Sequence, residues 1–280
     1  MGSNAFAIYN EENGNEYYIG NTWFGTNPFI GDIGEVRVYN GPLTSSQVLT
    51  LYTSTSTLYP SVAPSTQMLL YYSGTNYTGS GAWSNLGSLG TSRNASIVGG
   101  TPSKNAAGNG VVFSGSLYYR ISSLNVSLPD FTVATWFKRT TASIGSDTAI
   151  FTQGYPGSGA YMNLMTRRTV NDSTVVTSLY SSAYYDSAPI TTPLNTWVHI
   201  AATYNGSTMR TYSNGVLTST TTYSNVFAEN NGTIWYIGSR YDGTQYTTGQ
   251  IGEIRLYRGV LEPSSISTLY GSTLTATFSV

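Results

Sequence analysis

The sequence predicts an all-β protein, a sandwich whose rims are rich in aromatic side chains. Short runs of β-branched and aromatic residues alternate with Gly, Asn, Ser and Pro turn residues along most of the chain, the pattern of short strands joined by turns. Hydrophobic residues make up 40% of the chain, and 24 Tyr and 5 Trp are among its 280 residues, so a packed core with large rings is available. Charged residues are only 9%, against roughly 25% in ordinary soluble domains. Finally, Tyr18–Tyr52 recurs without a gap at Tyr236–Tyr270, at a constant offset of 218 residues and with 17 of 35 positions identical. Such a repeat is an internal duplication, and the period of a repeat constrains the fold before any element is assigned.

The early copy fills residues 1–52 almost alone, which implies the last strands and closing helix of a domain rather than a whole one. That is too little to build two packed sheets. Its apolar positions Ile19, Ile33, Val36, Val38 and Leu51 are expected to dock on another element. Residues 53–66, TSTSTLYPSVAPST, read as a linker because Pro60 and Pro64 fix φ and disfavour regular structure. Strands then follow at Met68–Tyr72, Val111–Phe113, Leu117–Ile121, Phe131–Lys138 and Ala149–Phe151. The clearest is Trp197–Tyr204, where Val198, Ile200, Ala202 and Tyr204 share one face and Trp197, His199, Ala201 and Thr203 the other. Met209–Ser213 and Val216–Thr221 flank Asn214-Gly215, the residue pair that a type I′ hairpin turn favours. Thr233–Gly238 and Gly252–Tyr257 complete the strands. Glu262–Tyr270 is expected to be the one short helix, with Pro263 in its first turn and Ile266, Leu269 and Tyr270 on one face. The expected boundaries are therefore 1–52, 53–66, a complete domain at 67–271, and a tail at 272–280.

Several classes of function are disfavoured at this level. A net charge of −1 provides no basic footprint for nucleic acid. No run of about 18 apolar residues exists to span a membrane as a helix. Zero Cys removes disulfides, thiol catalysis and thiolate-bound zinc. His199 is the one histidine and lies mid-strand, so a packed structural role is expected rather than metal binding, which needs clustered partners. Glu35 and Glu253 recur in the two copies, each two residues before Arg37 or Arg255, which puts each Glu and Arg on the same strand face as an ion pair. No catalytic residue is expected. Calcium remains the one metal in question, with Asp147, Asp172, Asp186 and Asp242 as isolated loop acids. Stacking of apolar sugar faces on rings beside polar partners would fall to Trp83, Tyr155, the Tyr184-Tyr185-Asp186 run and Arg240-Tyr241-Asp242. The bland alternative for these tyrosines is rim closure or subunit contact.

The ordered motifs resemble the laminin-G-like, concanavalin A-like jelly-roll family. Leu69-Leu70-Tyr71-Tyr72, Gly79 to Leu86, and Asn94-Ala95-Ser96 look like its opening. Phe113-Ser-Gly-Ser and Asp130 to Lys138, with Trp136, resemble its middle strands. Asn195 to Gly206 followed by Tyr212-Ser-Asn214-Gly215 resembles its hairpin, and Gly252 to Tyr257 with Leu261 its closing strand. The resemblance implies two antiparallel sheets packed face to face, preceded here by a partial copy of the same domain. It implies a module for binding or structure. Ser73-Gly74 and Ser114 stand where the family often has acids, which weakens an implied calcium site. Laminarinase-type glycosidases of the same sandwich class carry a dense E-x-D-x-E strand that this chain lacks.

The expected function is therefore a non-enzymatic surface or virion module for assembly or attachment. A carbohydrate-binding module and a polysaccharide-active enzyme are the alternatives. Partners would be other structural or surface protein subunits, then glycans; the expected location is extracellular or on a virion surface.

Overall fold

The computed structural model describes residues 19, 36–44, 47–48, 50–51, 68–142, 149–154, 161–166, 173–180, 184–222, 233–240, 242–276 and 278. Two compact units, Met1–Ser61 and Val62–Val280, divide the chain.

In the larger unit the strands are β1 (Met68–Ser73), β2 (Ser96–Gly99), β3 (Ser103–Lys104), β4 (Val111–Ser114), β5 (Tyr118–Ile121), β6 (Phe131–Lys138), β7 (Ala149–Gln153) and β8 (Tyr161–Thr166). They continue as β9 (Thr174–Tyr180), β10 (Tyr184–Asp186), β11 (Ile190–Thr191), β12 (Trp197–Tyr204), β13 (Thr208–Ser213), β14 (Val216–Thr222), β15 (Trp235–Ile237) and β16 (Thr248–Arg258). One helix, α1 (Pro263–Ala276), closes the series. Sheet I runs β14-β13-β12-β6-β16-β4-β3 and also holds β1 on β16. Sheet II runs β10-β9-β8-β7-β15-β5-β2 and also holds β11 on β9. All these pairings are antiparallel.

Eleven-residue β16 organises sheet I. One of its edges pairs along its length with β6; the other is shared, with Thr248–Ile251 on β4 and Glu253–Tyr257 on β1. The handover falls at Gly252, where the register against β6 slips by one residue. A bulge of this kind leaves one residue unpaired and bends the strand. The Gly252 carbonyl accepts the Gly74 N–H at 2.6 Å. A Cβ at Gly252 would stand 2.3 Å from the Phe278 ring, so only glycine allows that approach.

The core lies between the sheets. Leu70, Tyr72, Phe113, Val133, Phe137, Val198, Ile200, Ile254 and Leu256 come from sheet I; Tyr119, Ile121, Phe151, Leu179, Trp235 and Ile237 come from sheet II. The period-two face Val198, Ile200, Ala202 and Tyr204 points into this core. The other face of β12 is buried as well, because α1 covers it. Ile266 and Leu269 pack with Ala134, Ala201, Tyr212, Tyr257 and Leu261, and the two alanines leave room for a helix to lie close to the sheet. At the hairpin, Asn214 and Gly215 take φ of 49° and 78°, the double positive φ of a type I′ turn.

The expected tail at 272–280 requires correction. The helix continues to Ala276, and Phe278 is 2% exposed, stacked on Trp136 and tilted against Trp197. Thr273 Oγ1 accepts the Trp136 indole N–H at 2.8 Å and donates to the Leu269 carbonyl, which ties the last turns to the sheet. Gly271, Ser272, Thr273 and Thr275 give these turns little apolar periodicity, which hid them in the sequence.

In the smaller unit, Thr44 and Gln47 form a reciprocal capping box: Thr44 N–H donates to Gln47 Oε1 at 2.8 Å and Gln47 N–H to Thr44 Oγ1 at 3.3 Å. Residues 47–48 and 50–51 are helical. The segment 53–66, Ile33 and Glu35 lie outside the described residues. Val36 and Val38 are 55% and 80% exposed, whereas their duplicated counterparts Ile254 and Leu256 are fully buried.

This contrast separates two equivalent positions by measurement. Leu256→Ala is expected to destabilise the larger unit by about 2–5 kcal/mol in urea unfolding. Val38→Ala is expected to change it by less than about 0.5 kcal/mol. Equal effects would show that both copies are packed alike.

Candidate functional site

The two sheets present very different outer faces. On sheet I, strand pairing brings His199, Trp136, Glu253 and Ser73 into one transverse row. All are buried, and α1 with Phe278 seals their surroundings. His199 is fully buried against the Trp136 and Tyr270 rings, at centroid distances of 5.3 and 6.0 Å. Neither ring nitrogen has a hydrogen-bond partner among the described residues. Burial, with the nearby Arg255 charge, pushes its pKa down to about 3. Arg255 Nη2 donates to Glu253 Oε2 at 3.1 Å, and its guanidinium lies 4.4 Å from the Tyr71 ring centre. Burial raises the Glu253 pKa, and Arg255 only partly opposes it. Burial works against the charge on Arg255, yet the Glu253 carboxylate outweighs it and holds the guanidinium up. His199, Trp136 and Glu253 are thereby committed to the scaffold, while Arg255 keeps a partly exposed side chain beside Tyr71.

On sheet II, the register lines up Asp186, Ser178, Asn163, Thr152, Tyr236, Arg120 and Ser96 across seven strands. Every member of this row is polar or phenolic, and the six steps span about 29 Å at about 4.8 Å per strand. Ser178 and Thr152 in its middle are buried, while Arg120 and Ser96 at the β5–β2 end are exposed. There Tyr118, two residues from Arg120 on the same face, lies 6.3 Å from Tyr236 and 5.6 Å from Tyr246, ring centre to ring centre. All three rings are half-buried. Beyond Arg120 the face opens into a cleft of about 460 Å³ lined by Ser96, Ile97, Val98, Arg120, Ser122 and Ile234, with Ile121 beneath. The loop after β15 borders the same shelf: a Cβ on Gly243 would stand 3.4 Å from the Tyr118 hydroxyl. Half-exposed rings beside a polar cleft form the arrangement that suits a sugar, whose apolar faces stack while its hydroxyls bond.

The residues singled out from the sequence scatter. Trp83 is corrected from a loop platform to a core residue: it is 1% exposed, its indole N–H donates to the Ser73 carbonyl at 2.9 Å, and its ring packs with Tyr72, Tyr77 and Tyr119. Trp83 is paired with Ala95 in a bridge, and Asn85 accepts the Tyr71 and Gly87 N–H groups, so the loop folds inward over the core. Tyr155, Tyr241, Glu35, Asp147 and Asp172 lie outside the described residues. Tyr184 is 41% exposed and edge-on to Tyr180 at 5.0 Å, Tyr185 turns inward onto the core, and Asp186 accepts the Ser178 hydroxyl. Arg240 lies 3.8 Å from Asp242 and donates to Gln245, and Asp242 caps Thr244. Asp186 lies in β10 and Asp242 in the loop after β15, and among the described residues no group of three His, Asp or Glu could hold a metal. Arg37 is exposed in the smaller unit. Tyr118, Arg120, Tyr236 and Tyr246 were missed. Alternation within Leu117–Ile121 already placed Tyr118 and Arg120 on one face; the missing information was that β5 pairs with β15 and that Arg120 there is exposed.

A family model described as the concanavalin A-like lectin/glucanases superfamily matches residues 113–267, more than half of the chain. The chain belongs to this superfamily. No curated protein matches the sequence. Among solved structures, this superfamily member is similar to domain 4 of AbnA, a GH43 extracellular arabinanase from Geobacillus stearothermophilus, in complex with arabinotriose. The identity is 22%, the TM-score 0.59, and the coverage 73% of this chain and 98% of that one. It is also similar to the botulinum neurotoxin serotype D ligand binding domain in complex with N-acetylneuraminic acid, with 16% identity, a TM-score of 0.58 and 75% of this chain covered. The match spans about half of that toxin chain, 52%. The receptor binding domain of botulinum neurotoxin C/D mosaic serotype matches at 14% identity, with a TM-score of 0.58, 74% of this chain and 52% of that chain covered. At such identities the likeness concerns the fold.

The buried histidine makes stability depend on pH in a defined direction. Its folded pKa is about 3, below the unfolded value near 6.5. The unfolded chain therefore takes up a proton first, and stability falls as pH drops from about 6.5 towards 3. The slope from this group is at most about 1.4 kcal/mol per pH unit. Thermal melts of His199→Phe against the parent chain should show a flatter fall over that range. An unchanged slope would assign it to other groups.

Proposed function

We propose that the larger unit is a non-enzymatic glycan-binding module of an extracellular or particle-surface protein. Its ligand lies on the outer face of sheet II, over Tyr118, Tyr236 and Tyr246 and into the cleft beside Arg120. The observation that carries this reading is the outer face of sheet II, which offers three half-buried rings next to an open polar cleft, while α1 covers the His199 and Trp136 region of sheet I. The complexes of similar solved domains with arabinotriose and N-acetylneuraminic acid agree with this use of the fold. Tyr184 and Asp186 provide a further polar and aromatic corner at the far edge of the same face.

A polysaccharide-cleaving role finds less support. Such chemistry generally needs two carboxyl groups flanking the scissile bond. Among the described residues no Asp or Glu lines the cleft, Glu253 is held by Arg255 under the helix, and Asp242 is bound by Arg240 and Thr244. Among those residues no helix is long and apolar enough to cross a membrane.

Residues 1–52 support a second activity, assembly. We read them as the closing strand and helix of another sandwich, joined through 53–66, because Val36 and Val38 are exposed where their counterparts are buried. Docking onto a further protein subunit would cover them.

Glycan array screening should find hits, and Tyr236→Ala and Tyr118→Ala should each weaken them by about 1–2 kcal/mol, some five- to thirty-fold. An array without hits, or full binding by both variants, defeats the reading. In limited proteolysis of the assembled protein, cuts should be confined to 53–66; free cleavage throughout 4–52 would contradict docking.

A further inference from the structure

Arg120 stands out among the charged groups of sheet II. It is exposed in the wall of the cleft and has neither a hydrogen bond nor an ion pair from its side chain among the described residues. Other arginines are committed: Arg139 donates to the carbonyls of Thr192, Thr141 and Ala142, Arg240 is held by Asp242 and Gln245, and Arg255 by Glu253. Among the described residues no acidic side chain lines the cleft, so none of them neutralises the guanidinium there. Its neighbours across the strands are Tyr236 on one side and Ser96 on the other, and Ser122 follows on the same face.

We propose that the ligand is an acidic glycan, with a sugar carboxylate held by Arg120, an inference that rests on the glycan-binding reading above. A guanidinium presents a planar fork of donors that matches a carboxylate in two parallel bonds, and such charge-assisted bonds are roughly twice as strong as neutral ones. Sugar hydroxyls alone would leave that capacity unused. The geometry agrees. Side chains on directly opposed strand residues stand about 5 Å apart, so a ring stacked on Tyr236 brings a ring substituent over Arg120. Ser96 and Ser122 are placed to bond hydroxyls on either side, while Val98 and Ile234 give the cleft apolar walls. One cation among the described residues lining the cleft, in a chain whose net charge is −1, suits a ligand with one carboxylate per recognised sugar rather than a densely sulfated polymer.

The test uses the full chain and four probes in two matched pairs: sialyllactose with lactose, and trigalacturonate with its methyl ester. A heparin oligosaccharide and the glycan array accompany them. In titrations at low salt, at least one acidic probe should bind at least tenfold more tightly than its neutral twin, and the difference should shrink in high salt. Which pair responds distinguishes a terminal sialic acid from a uronate within a chain. Arg120→Gln should lower the acidic affinity about ten- to hundredfold, as loss of a charged hydrogen bond does. Arg120→Lys, with its charge but no fork, should fall between. Unchanged melting temperatures would assign these losses to contact. Equal binding of both members of each pair, preference for heparin, array hits confined to neutral glycans, or an unaffected Arg120→Gln overturns this inference and leaves glycan binding standing. An array with no hits overturns the glycan reading itself.

Discussion

Everything in the larger unit depends on β16 being a shared strand. Its eleven residues close one sheet against three partners, β6 on one edge and β4 then β1 on the other. A strand in this position must supply backbone bonds on both edges and side chains on both faces. Ile254 and Leu256 point into the sandwich; Glu253, Arg255 and Tyr257 point to the helix side. The bulge at Gly252 reconciles the two partners on one edge, and the missing side chain there gives Phe278 its seat. In the duplicated segment near the start of the chain, Val36 and Val38, the counterparts of Ile254 and Leu256, are exposed.

Burial then decides which face of the sandwich can work. Burying His199 and Glu253 costs desolvation, and it shows in the lowered histidine and raised glutamate pKa. The Glu–Arg bond and the rings around His199 offset part of that cost. Breaking such a pair from one side leaves a buried charge unpaired, so these residues are committed to the scaffold. Among the described residues no helix covers the β5–β2 end of sheet II, and there Arg120 and Ser96 are exposed and the tyrosines half-buried.

Much of the fold was legible because alternation and turn chemistry are local. Phe131–Lys138 and Trp197–Tyr204 have the boundaries expected from their residues, and Asn214-Gly215 makes the turn its φ preferences demand. Besides β8, the strands that escaped notice are of two kinds. β9 is buried on both faces and so lacks the alternation that marks a half-exposed strand. β2, β3, β10 and β11 are two to four residues long and exist only because a neighbour holds them. The candidate site was less legible. Trp83 looked like a loop ring and is core, since loop or core membership depends on what Asn85 and Ala95 bond to.

By itself the sequence determined the sandwich class, the order of the main strands, the turn and helix positions, the duplicated closing unit and the placement of Glu253 and Arg255 on one face. All of these follow from periods of two or 3.6 residues and from φ preferences, which act within a few residues. Only the tertiary structure decided that α1 lies on sheet I, that β5 pairs with β15, and hence that Tyr118, Arg120 and Tyr236 share one open surface. Those contacts join residues far apart in sequence, as where β5 meets β15 or α1 meets Ala134 and Ala201. They are fixed by which faces exclude water together, and no single strand's pattern records its partner.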